Sequence, residues 1–296
     1  MRQFRLAFAC LVVALLATGC GNASTGGATT KADSTVQVDR QLHDRLPAAI
    51  RQSGVIRLAT DPSYAPMESY ARDGRTIVGF EPDLAAALAS VLGVRSEMVA
   101  ADFGAALDGA RSGTYDGVLS AMTDTAEREK KADFVNYFAA GTSIVVQRGN
   151  PHGIADLKDL CGQVVAVETA TVQVDLLRRA QSRCRTRRID VHTYKTNADA
   201  LLQLRTGRAV AVLNDTPPAA HLITDQQTKA NYQLASNVQY EPGLYGIAVA
   251  KGNTALRNAL RDALERLIRS GTYAELLQRW GLTTGAVTAS TVNAGA

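Results

Sequence analysis

The sequence predicts an α/β protein whose parallel strands are covered by helices on both faces. Between about residues 53 and 282, short apolar segments that suit buried strands alternate with amphipathic segments that suit helices. This alternation is typical of parallel α/β sheets. The length of the region fits one large domain or two modest ones. The candidate strands are Val55–Thr60, Gly117–Met122, Ser143–Gln147, Val164–Glu168, Ala209–Asn214 and Gly246–Ala250.

Two leucine-rich segments carry the helical spacing between these strands. In residues 84–92 the apolar side chains recur at i, i+4, i+7 and i+8, which places them on one face of a helix. Residues 256–267 also place their leucines on one face, and Gly271 follows as a stop signal. Both segments are therefore predicted to be helices that pack on a sheet.

A short internal repeat indicates where a ligand would bind. Residues 111–120 (RSGTYDGVLS) and 205–214 (RTGRAVAVLN) both suggest a helix end, a turn and a buried strand, and polar residues follow each strand. Ligands of open α/β sheets bind outside the carboxyl ends of the strands, so two such units facing one another would form a cleft. Chance similarity is the alternative explanation for a repeat this short.

The first twenty residues indicate export. An apolar run from Leu6 to Ala17 follows two arginines, and it is shorter than the roughly 20 residues that span a bilayer. The small residues before Cys20 resemble the lipobox of bacterial lipoproteins, although Ala17 stands where that motif usually has leucine. We expect lipidation at Cys20; the alternative is an ordinary secretory signal. A Gly/Ala/Ser/Thr tract then predicts a flexible tether.

Cysteine usage agrees with an exported protein. Cys10 would leave with the signal and Cys20 would carry lipid, so Cys161 and Cys184 remain as a plausible disulfide pair. Two reduced, buried thiols are the alternative. The four histidines are scattered, no Cys/His spacing suggests zinc, and we expect neither a metal nor a cofactor.

The charge argues against a nucleic-acid partner. Removing the two arginines of the first twenty residues lowers the formal charge from +4 to +2, which is too mild for such a role. One basic cluster, Arg178–Arg188, suits the solvated end of a helix; attraction to anionic lipid or to a partner is the alternative interpretation.

Six segments, in one order, make the resemblance to a family specific. The chain resembles the polar amino-acid-binding proteins of ABC importers, solute-binding protein family 3, over almost its whole length after the tether. That resemblance implies a two-lobed periplasmic-binding-protein fold of type II, in which two hinge strands join the lobes and a ligand closes the cleft. The segments are Thr60–Ser69, Gly79–Gly93, Ser120–Phe134, Val164–Gln173, Ala209–Ala220 and Gly271–Gly281.

The same resemblance divides the chain. The polypeptide would start in the first lobe, cross to the second near Gly141–Gly149 and return near Tyr240–Ala250. The predicted parts are a signal peptide at 1–19, a tether at 20–45, a first lobe at 46–142 and 247–282, a second lobe at 143–246 with hinge strands at its edges, and a disordered tail at 283–296.

A free amino acid needs an opposite charge and aligned hydrogen bonds at both its carboxylate and its ammonium group. Arg128 matches the family's carboxylate-binding arginine, and its planar fork suits that group. Ser120, Ala121, Met122 and Thr123 would line the site, with Thr123 donating to the carboxylate and the Ala121 carbonyl accepting from the ammonium. Without the surrounding pattern, Arg128 would be a surface residue paired with a neighbouring glutamate.

The second lobe would complete the zwitterion site. Asp215 matches the family's ammonium-binding aspartate, although an aspartate before Pro217 also suits a helix cap. Ala170, Thr171 and Val172 occupy a turn where backbone N–H groups at a helix start could bind the carboxylate. Ala170 and Val172 depart from the glycine and threonine that the family often has there.

Ligand specificity would come from residues around the ligand side chain. Tyr64 and Phe103 match aromatic positions that flank it, with ordinary core packing as the alternative for both. Asp61 matches a first-lobe acid that meets polar or basic ligand ends, while Glu168 and Asn214 occupy positions that vary in the family. Acids here favour glutamine or a basic amino acid and disfavour glutamate and aspartate.

The resemblance implies a monomeric binding lipoprotein, not an enzyme, on the outer face of the cell membrane. Its partners would be a free L-amino acid, an ABC permease with its ATPase, and the membrane through Cys20. A sensory lipoprotein that signals to a membrane kinase is one alternative. A cyclohexadienyl-dehydratase-like enzyme is another, with Glu168 as the candidate general acid.

Overall fold

A computed structural model describes residues 37–295. The signal peptide, Cys20 and most of the predicted tether therefore lie outside the described residues. The helices are α1 Arg40–Asp44, α2 Ala48–Ser53, α3 Phe80–Val91, α4 Phe103–Ser112, α5 Ala126–Glu129, α6 Val172–Ala180, α7 Asn197–Arg205, α8 Thr216–Thr224, α9 Thr254–Ser270 and α10 Thr272–Trp280. The strands are β1 Val55–Thr60, β2 Ser63–Tyr64, β3 Glu68–Tyr70, β4 Ile77–Val78, β5 Arg95–Ala100, β6 Gly117–Val118, β7 Ala132–Gln147, β8 Val164–Glu168, β9 Asp190–Tyr194, β10 Ala211–Asp215, β11 Tyr232–Leu234 and β12 Tyr240–Ala250.

The main sheet has a parallel set of strands at each end and a long antiparallel pair in its centre. Its order is β5-β1-β6-β12-β7-β10-β8-β9, with β11 on β7. Strand β1 runs parallel to β5 and β6, and β8 runs parallel to β9 and β10. The central strand β12 pairs along its length with residues 132–142 of β7, and the rest of β7 pairs with β10 and β11. The α/β class and the two-lobed arrangement are therefore confirmed.

Separate apolar cores lie on the two sides of this central pair. We call the part built on β1, β5 and β6 the first lobe, and the part built on β8, β9 and β10 the second lobe. The first lobe packs α3, α9 and α10 around buried aromatic rings such as Phe80 and Tyr137. The second packs α6 and α7 on opposite faces of its strands. We keep the predicted lobe boundaries as a proposal, because β7 and β12 run through both.

All six predicted strands overlap observed strands, but most differ in length: Ser143–Gln147 and Gly246–Ala250 are the ends of the longer strands β7 and β12, and Ala209–Asn214 corresponds to Ala211–Asp215. Val55–Thr60 and Val164–Glu168 form strands with the predicted bounds. The predicted strand at Gly117–Met122 was too long, since β6 ends at Val118. Ala121 has a φ of 44°, in the left-handed region, which an extended strand cannot contain.

Both ends of the described chain are better ordered than we expected. The tether was predicted to run to residue 45, yet Asp39 caps α1 through the amides of Gln41 and Leu42. Leu42 is buried in the first-lobe core, which supplies the reason for the order. The tail was predicted to be disordered, yet residues 283–285 form a 3₁₀ turn and Val292 pairs with Val135 of β7. The tail is ordered because it covers a free edge of β7.

The expected disulfide between Cys161 and Cys184 is present, with their Cα atoms 5.5 Å apart. It joins the ends of two 3₁₀ turns on the second lobe, Leu157–Leu160 and Gln181–Arg183. Between residues 37 and 295, no helix combines the length and apolar character that crossing a membrane requires.

Candidate functional site

A small cavity lies between the two lobes, at the carboxyl ends of β1, β8 and β10. Its volume is about 20 Å³, and a larger cavity of about 730 Å³ adjoins it at Arg128. This position agrees with the rule that ligands bind outside the carboxyl ends of parallel strands. The cavity is lined by Asp61, Tyr64, Glu68, Phe103, Ser120, Ala121, Thr123, Arg128, Glu168, Thr171, Val172, Gln173 and Asp215.

Three of the residues predicted for the site do not line this cavity. Met122 and Ala170 line the adjoining larger cavity. Asn214 lines a different cavity, together with Ser63 and Asn197. Asn214 lies away from the first cavity because successive side chains of a strand point to opposite faces, and Asp215 takes the face toward that cavity.

Arg128 joins the two lobes at one end of the cavity. One guanidinium nitrogen donates to the Thr123 carbonyl at 2.6 Å, and the other donates across the cleft to the Ala170 carbonyl at 2.9 Å. The guanidinium lies over the Phe103 ring at 5.4 Å from its centroid, a cation–π distance. Burial lowers the pKa of Arg128 to about 10, so it is charged at neutral pH.

The local sequence explains why Arg128 points into the cleft. Thr125 caps α5 by accepting from the Arg128 amide, which starts this short helix directly after the cavity-lining residues. The neighbouring Glu127 pairs with Lys130 instead. The alternative interpretation, that Arg128 is a surface residue paired with a neighbouring glutamate, therefore does not hold.

Asp215 occupies the opposite wall, at the end of β10. One carboxylate oxygen accepts from the Gln173 amide at 2.6 Å and the other accepts from the Tyr64 hydroxyl at 3.1 Å. The side chain makes no capping hydrogen bond to α8, although Asp215 precedes that helix. The prolines at positions 217 and 218 lack the N–H groups that a cap would bind. Burial raises the pKa of Asp215 to about 6.

Two more carboxyl groups, Asp61 from the first lobe and Glu168 from the second, line the cavity from opposite walls. Burial is the main cause that raises the pKa of Glu168 to about 9, and the charge of Asp61 adds to it. Burial also raises the pKa of Asp61. Glu168 is therefore protonated at neutral pH. Asp61 Oδ2 and Glu168 Oε1 are buried acceptors without a hydrogen-bond partner among residues 37–295.

A second buried carboxyl pair, Glu68 and Glu81, supports the site from behind. Glu81 accepts from the Ala121 amide at 2.7 Å and from the Tyr137 hydroxyl. Glu68 accepts from the Ser120 hydroxyl at 2.9 Å. Burial raises the pKa of both glutamates. The pair holds Ala121 in its left-handed conformation at the cavity wall.

The start of α6 contributes backbone groups. Val172 and Gln173, the first residues of this nine-residue helix, both line the cavity. The Thr171 hydroxyl turns back to the Glu168 carbonyl at 2.8 Å and does not cap the helix. Ala170 adopts a φ of 62° in place of the glycine that this turn commonly has. Because no side chain caps α6, its first amides are available to an anion in the cleft.

Sequence reasoning missed Glu68 and Gln173. Gln173 directly follows the predicted turn, so the predicted set of site residues ended one residue too early. Glu68 lies two residues beyond Pro66 in a short strand, and nothing in its spacing distinguishes it from a surface acid. Among the described residues, no three His, Cys, Asp or Glu side chains are grouped so that they could hold a metal ion.

Residues 56–283 match the family model described as bacterial extracellular solute-binding proteins, family 3. The arginine-binding protein of Corynebacterium glutamicum is 28% identical over 259 residues, which cover 86% of this chain and 83% of the relative. The L-cystine-binding protein of Escherichia coli K12 is 30% identical over 78% of this chain and 84% of its own length.

Solved structures of similar proteins share the fold. An ancestral arginine-binding protein bound to arginine matches 77% of this chain and 98% of its own, with a TM-score of 0.71 and 32% identity. An ancestral amino acid-binding protein, described as a precursor of cyclohexadienyl dehydratase, matches 78% of this chain and 97% of its own, with a TM-score of 0.70 and 31% identity.

Proposed function

Since the chain belongs to family 3 of the bacterial extracellular solute-binding proteins, we propose that it captures a free L-amino acid with a cationic side chain and delivers it to the permease of an ABC importer. Arginine, lysine and ornithine are the ligands of this class, and glutamine is the neutral competitor. The observation that carries the proposal is the Asp61–Glu168 pair, in which buried carboxyl oxygens face the cavity from both lobes.

The α-carboxylate of the ligand would bind at the Arg128 end of the cavity. Arg128 supplies the positive charge, and Thr123 and the first amides of α6 supply further donors. A guanidinium–carboxylate pair is the strongest charge-assisted contact available to such a ligand. Arg128 would exchange its bond to the Ala170 carbonyl for one to the carboxylate.

The α-ammonium group would bind between Asp215 and the Ala121 carbonyl. Asp215 is already oriented by Tyr64 and Gln173, so it reaches the ligand without a further loss of side-chain freedom. Binding a cation would favour the charged form of Asp215 and offset the burial that raises its pKa to about 6.

The ligand side chain would extend past Tyr64 and Phe103 to Asp61 and Glu168. A guanidinium or ammonium group donates several hydrogen bonds to the unpartnered acceptors of this pair and compensates their buried charge. Glutamine donates through its amide but leaves the charge uncompensated. Glutamate and aspartate would place a third carboxylate there, which like-charge repulsion opposes.

A calorimetric screen of the protein without its first twenty residues tests the proposal. The panel contains L-arginine, L-lysine, L-ornithine, L-glutamine, L-cystine and L-glutamate, after any co-purified ligand has been removed by unfolding and refolding. We expect the cationic amino acids to bind most tightly. Tighter binding of glutamine or cystine would overturn the assignment of a cationic ligand but not that of an amino-acid-binding protein. Binding of none of these amino acids would overturn both assignments.

We propose further that the protein is a monomer held on the outer face of the cell membrane by a lipid at Cys20. The support for the anchor is the short apolar run and the small residues before that cysteine. Labelled palmitate should enter the protein in cells and should fail to enter a Cys20→Ala variant. Entry into both variants equally would contradict the anchor at Cys20.

A dehydratase on the same fold is the second candidate, and one observation favours it. Glu168 holds a proton at neutral pH, as a general acid must, because burial raises its pKa to about 9. Incubation with prephenate, which has no ammonium group, tests for turnover by the release of carbon dioxide. We expect none, since Asp215 matches the need of an ammonium ligand; turnover that Glu168→Gln abolished would replace the binding function.

A further inference from the structure

The segment of residues 286–295 lies behind the candidate site and outside the part of the chain that matches the family. It runs along the free edge of β7, where the Asn136 amide donates to the Thr291 carbonyl at 2.9 Å and the Asn293 amide donates to the Phe134 carbonyl at 3.0 Å. The Asn293 side chain accepts from the Phe134 amide at 2.8 Å. This edge pairing delivers Ala294 and Gly295 to the loop that contains Asp124.

Asp124 receives three donors on a single carboxylate oxygen. The amides of Ala294 and Gly295 donate to Oδ2 at 3.1 and 3.0 Å, and the Asn136 side chain donates to the same atom at 2.9 Å. Asp124 is 1% exposed and Asn136 is fully buried. A buried carboxylate that loses such donors keeps its desolvation cost without compensation, so the contact strongly favours one position of Asp124.

Asn136 connects the 286–295 segment to Asp124 a second time. Its side-chain oxygen accepts from the Thr291 hydroxyl at 2.8 Å, while its side-chain nitrogen donates to Asp124. The segment therefore orients the side chain that holds Asp124 and also holds Asp124 directly.

The position of Asp124 decides the position of the cavity-lining residues on either side of it. Thr123, whose carbonyl accepts from Arg128, comes directly before it. Thr125, which caps the helix of Arg128, comes directly after it. The Asp124 amide also donates to the Leu244 carbonyl at 2.7 Å, so backbone and side chain fix this residue from two directions.

We propose that the 286–295 segment belongs to the binding machinery, because it holds Asp124 and thereby positions the loop that carries Thr123 and Arg128. Asp124 and Asn136 are positioning residues in this arrangement. The inference rests on the proposed function in taking Arg128 as the carboxylate-binding group. Removing the segment should weaken ligand binding although none of its residues lines the cavity.

The variants that test this are Asp124→Ala, a chain that stops after Gly285, and the two combined. We expect each single change to weaken L-arginine binding roughly tenfold. The combination should weaken it no further, because both changes remove the same contact between Asp124 and the 286–295 segment. Asp124→Asn keeps an oxygen for the three donors and should retain near-normal affinity. Thr288→Ala, an exposed position in the same segment without a contact to Asp124, is the matched control.

Two outcomes would overturn the proposal. Full affinity in Asp124→Ala and in the shortened chain, with only a lower thermal midpoint, would reduce the segment to a stabilising edge strand. Additive losses would show that the segment and Asp124 act separately. If the shortened chain does not fold, Gly295→Ala replaces it, since an added Cβ would lie 2.4 Å from the Asp124 carbonyl oxygen.

A measurement on the ligand-free protein separates this inference from the proposed ligand. Hydrogen exchange at the amides of residues 123–129 should be faster in Asp124→Ala and normal in Asp124→Asn. Unchanged exchange in Asp124→Ala would overturn the positioning role even if arginine bound. Failure of the unchanged protein to bind arginine would contradict the ligand assignment and leave the exchange result to decide the positioning role.

Discussion

The hydroxyl of Tyr64 makes two hydrogen bonds to Asp215 on the opposite lobe. It accepts from the Asp215 amide at 2.8 Å and donates to the Asp215 carboxylate at 3.1 Å. A single first-lobe side chain thus holds both the backbone and the acid that we propose as the ammonium ligand. Together with the bond from Arg128 to the Ala170 carbonyl, this contact closes the cleft with the protein's own groups.

Tyr64→Phe should shift the ligand-free protein toward an open form. The change removes both cross-lobe bonds, each worth about 1 kcal/mol, and keeps the ring. Small-angle scattering without ligand should then show a larger radius of gyration. Tyr70→Phe, at an exposed phenol in β3, is the control. An unchanged radius would mean that Tyr64 does not hold the lobes together.

Arg128→Ala should weaken binding of every amino acid by about 3–5 kcal/mol, because the carboxylate that all of them share would be buried without a partner. The affinity of Arg128→Lys should lie between those of the unchanged protein and Arg128→Ala, since an ammonium supplies the charge but not the planar fork. Titration calorimetry measures both, with the exposed Arg178→Ala as control. Wild-type affinity in Arg128→Ala would rule out the proposed binding mode.

Glu168→Gln should reorder the ligands without abolishing binding. It removes the carboxyl group that would become charged beside a cationic side chain, so affinity for arginine should fall about tenfold or more while glutamine loses little. Competition between arginine and glutamine for the protein measures the change in their relative affinity directly. Glu97→Gln, on the exposed face of β5, serves as the control. Equal losses for both ligands would place the side-chain end of the ligand elsewhere.

Binding of a cationic ligand should release protons. In the ligand-free protein Glu168 is protonated at pH 7, because burial raises its pKa to about 9. A ligand cation favours the charged form and lowers that pKa, so affinity should rise with pH from about 6 toward 9. The apparent enthalpy should therefore depend on the buffer's ionisation enthalpy for arginine and scarcely for glutamine. No such dependence for arginine would contradict the contact with Glu168.

Replacing both Cys161 and Cys184 by serine should destabilise the second lobe. The bridge closes a loop with a sequence separation of 23, for which the chain-entropy relation gives about 3 kcal/mol. Urea unfolding followed by a second-lobe signal measures the loss, while arginine affinity should stay normal because the bridge lies outside the cavity lining. A loss of stability below about 1 kcal/mol would disagree with this account.

Several site predictions depended on local spacing, and these agree with positions in the cavity wall. Thr123 and Arg128 lie five residues apart around a short capped helix, so one loop brings both to the cleft. Asp215 ends its strand and Thr171 precedes its helix, as the alternation of strands and helices predicts. Asn214 lines another cavity, because its side chain and that of Asp215 point to opposite faces of the strand.

Other features depended on residues far apart in the chain. Glu68 is placed at the site by its contacts with Glu81 and Ser120, and Gln173 by its contact with Asp215. Short sequence patterns do not predict such contacts between distant residues. Residues 286–295 have the composition of a flexible tail, and they are ordered because β7 offers a free edge and Asp124 offers a buried acceptor.

The sequence by itself determined the α/β class, the family and the residues that match a zwitterion site, because periodicity, turn chemistry and motif spacing are local properties of the chain. Only the tertiary structure decided which carboxyl groups are buried, which wall each side chain faces and what holds the loop of Arg128. Those features arise from burial and from contacts between distant segments, and burial is set only when the two lobes meet.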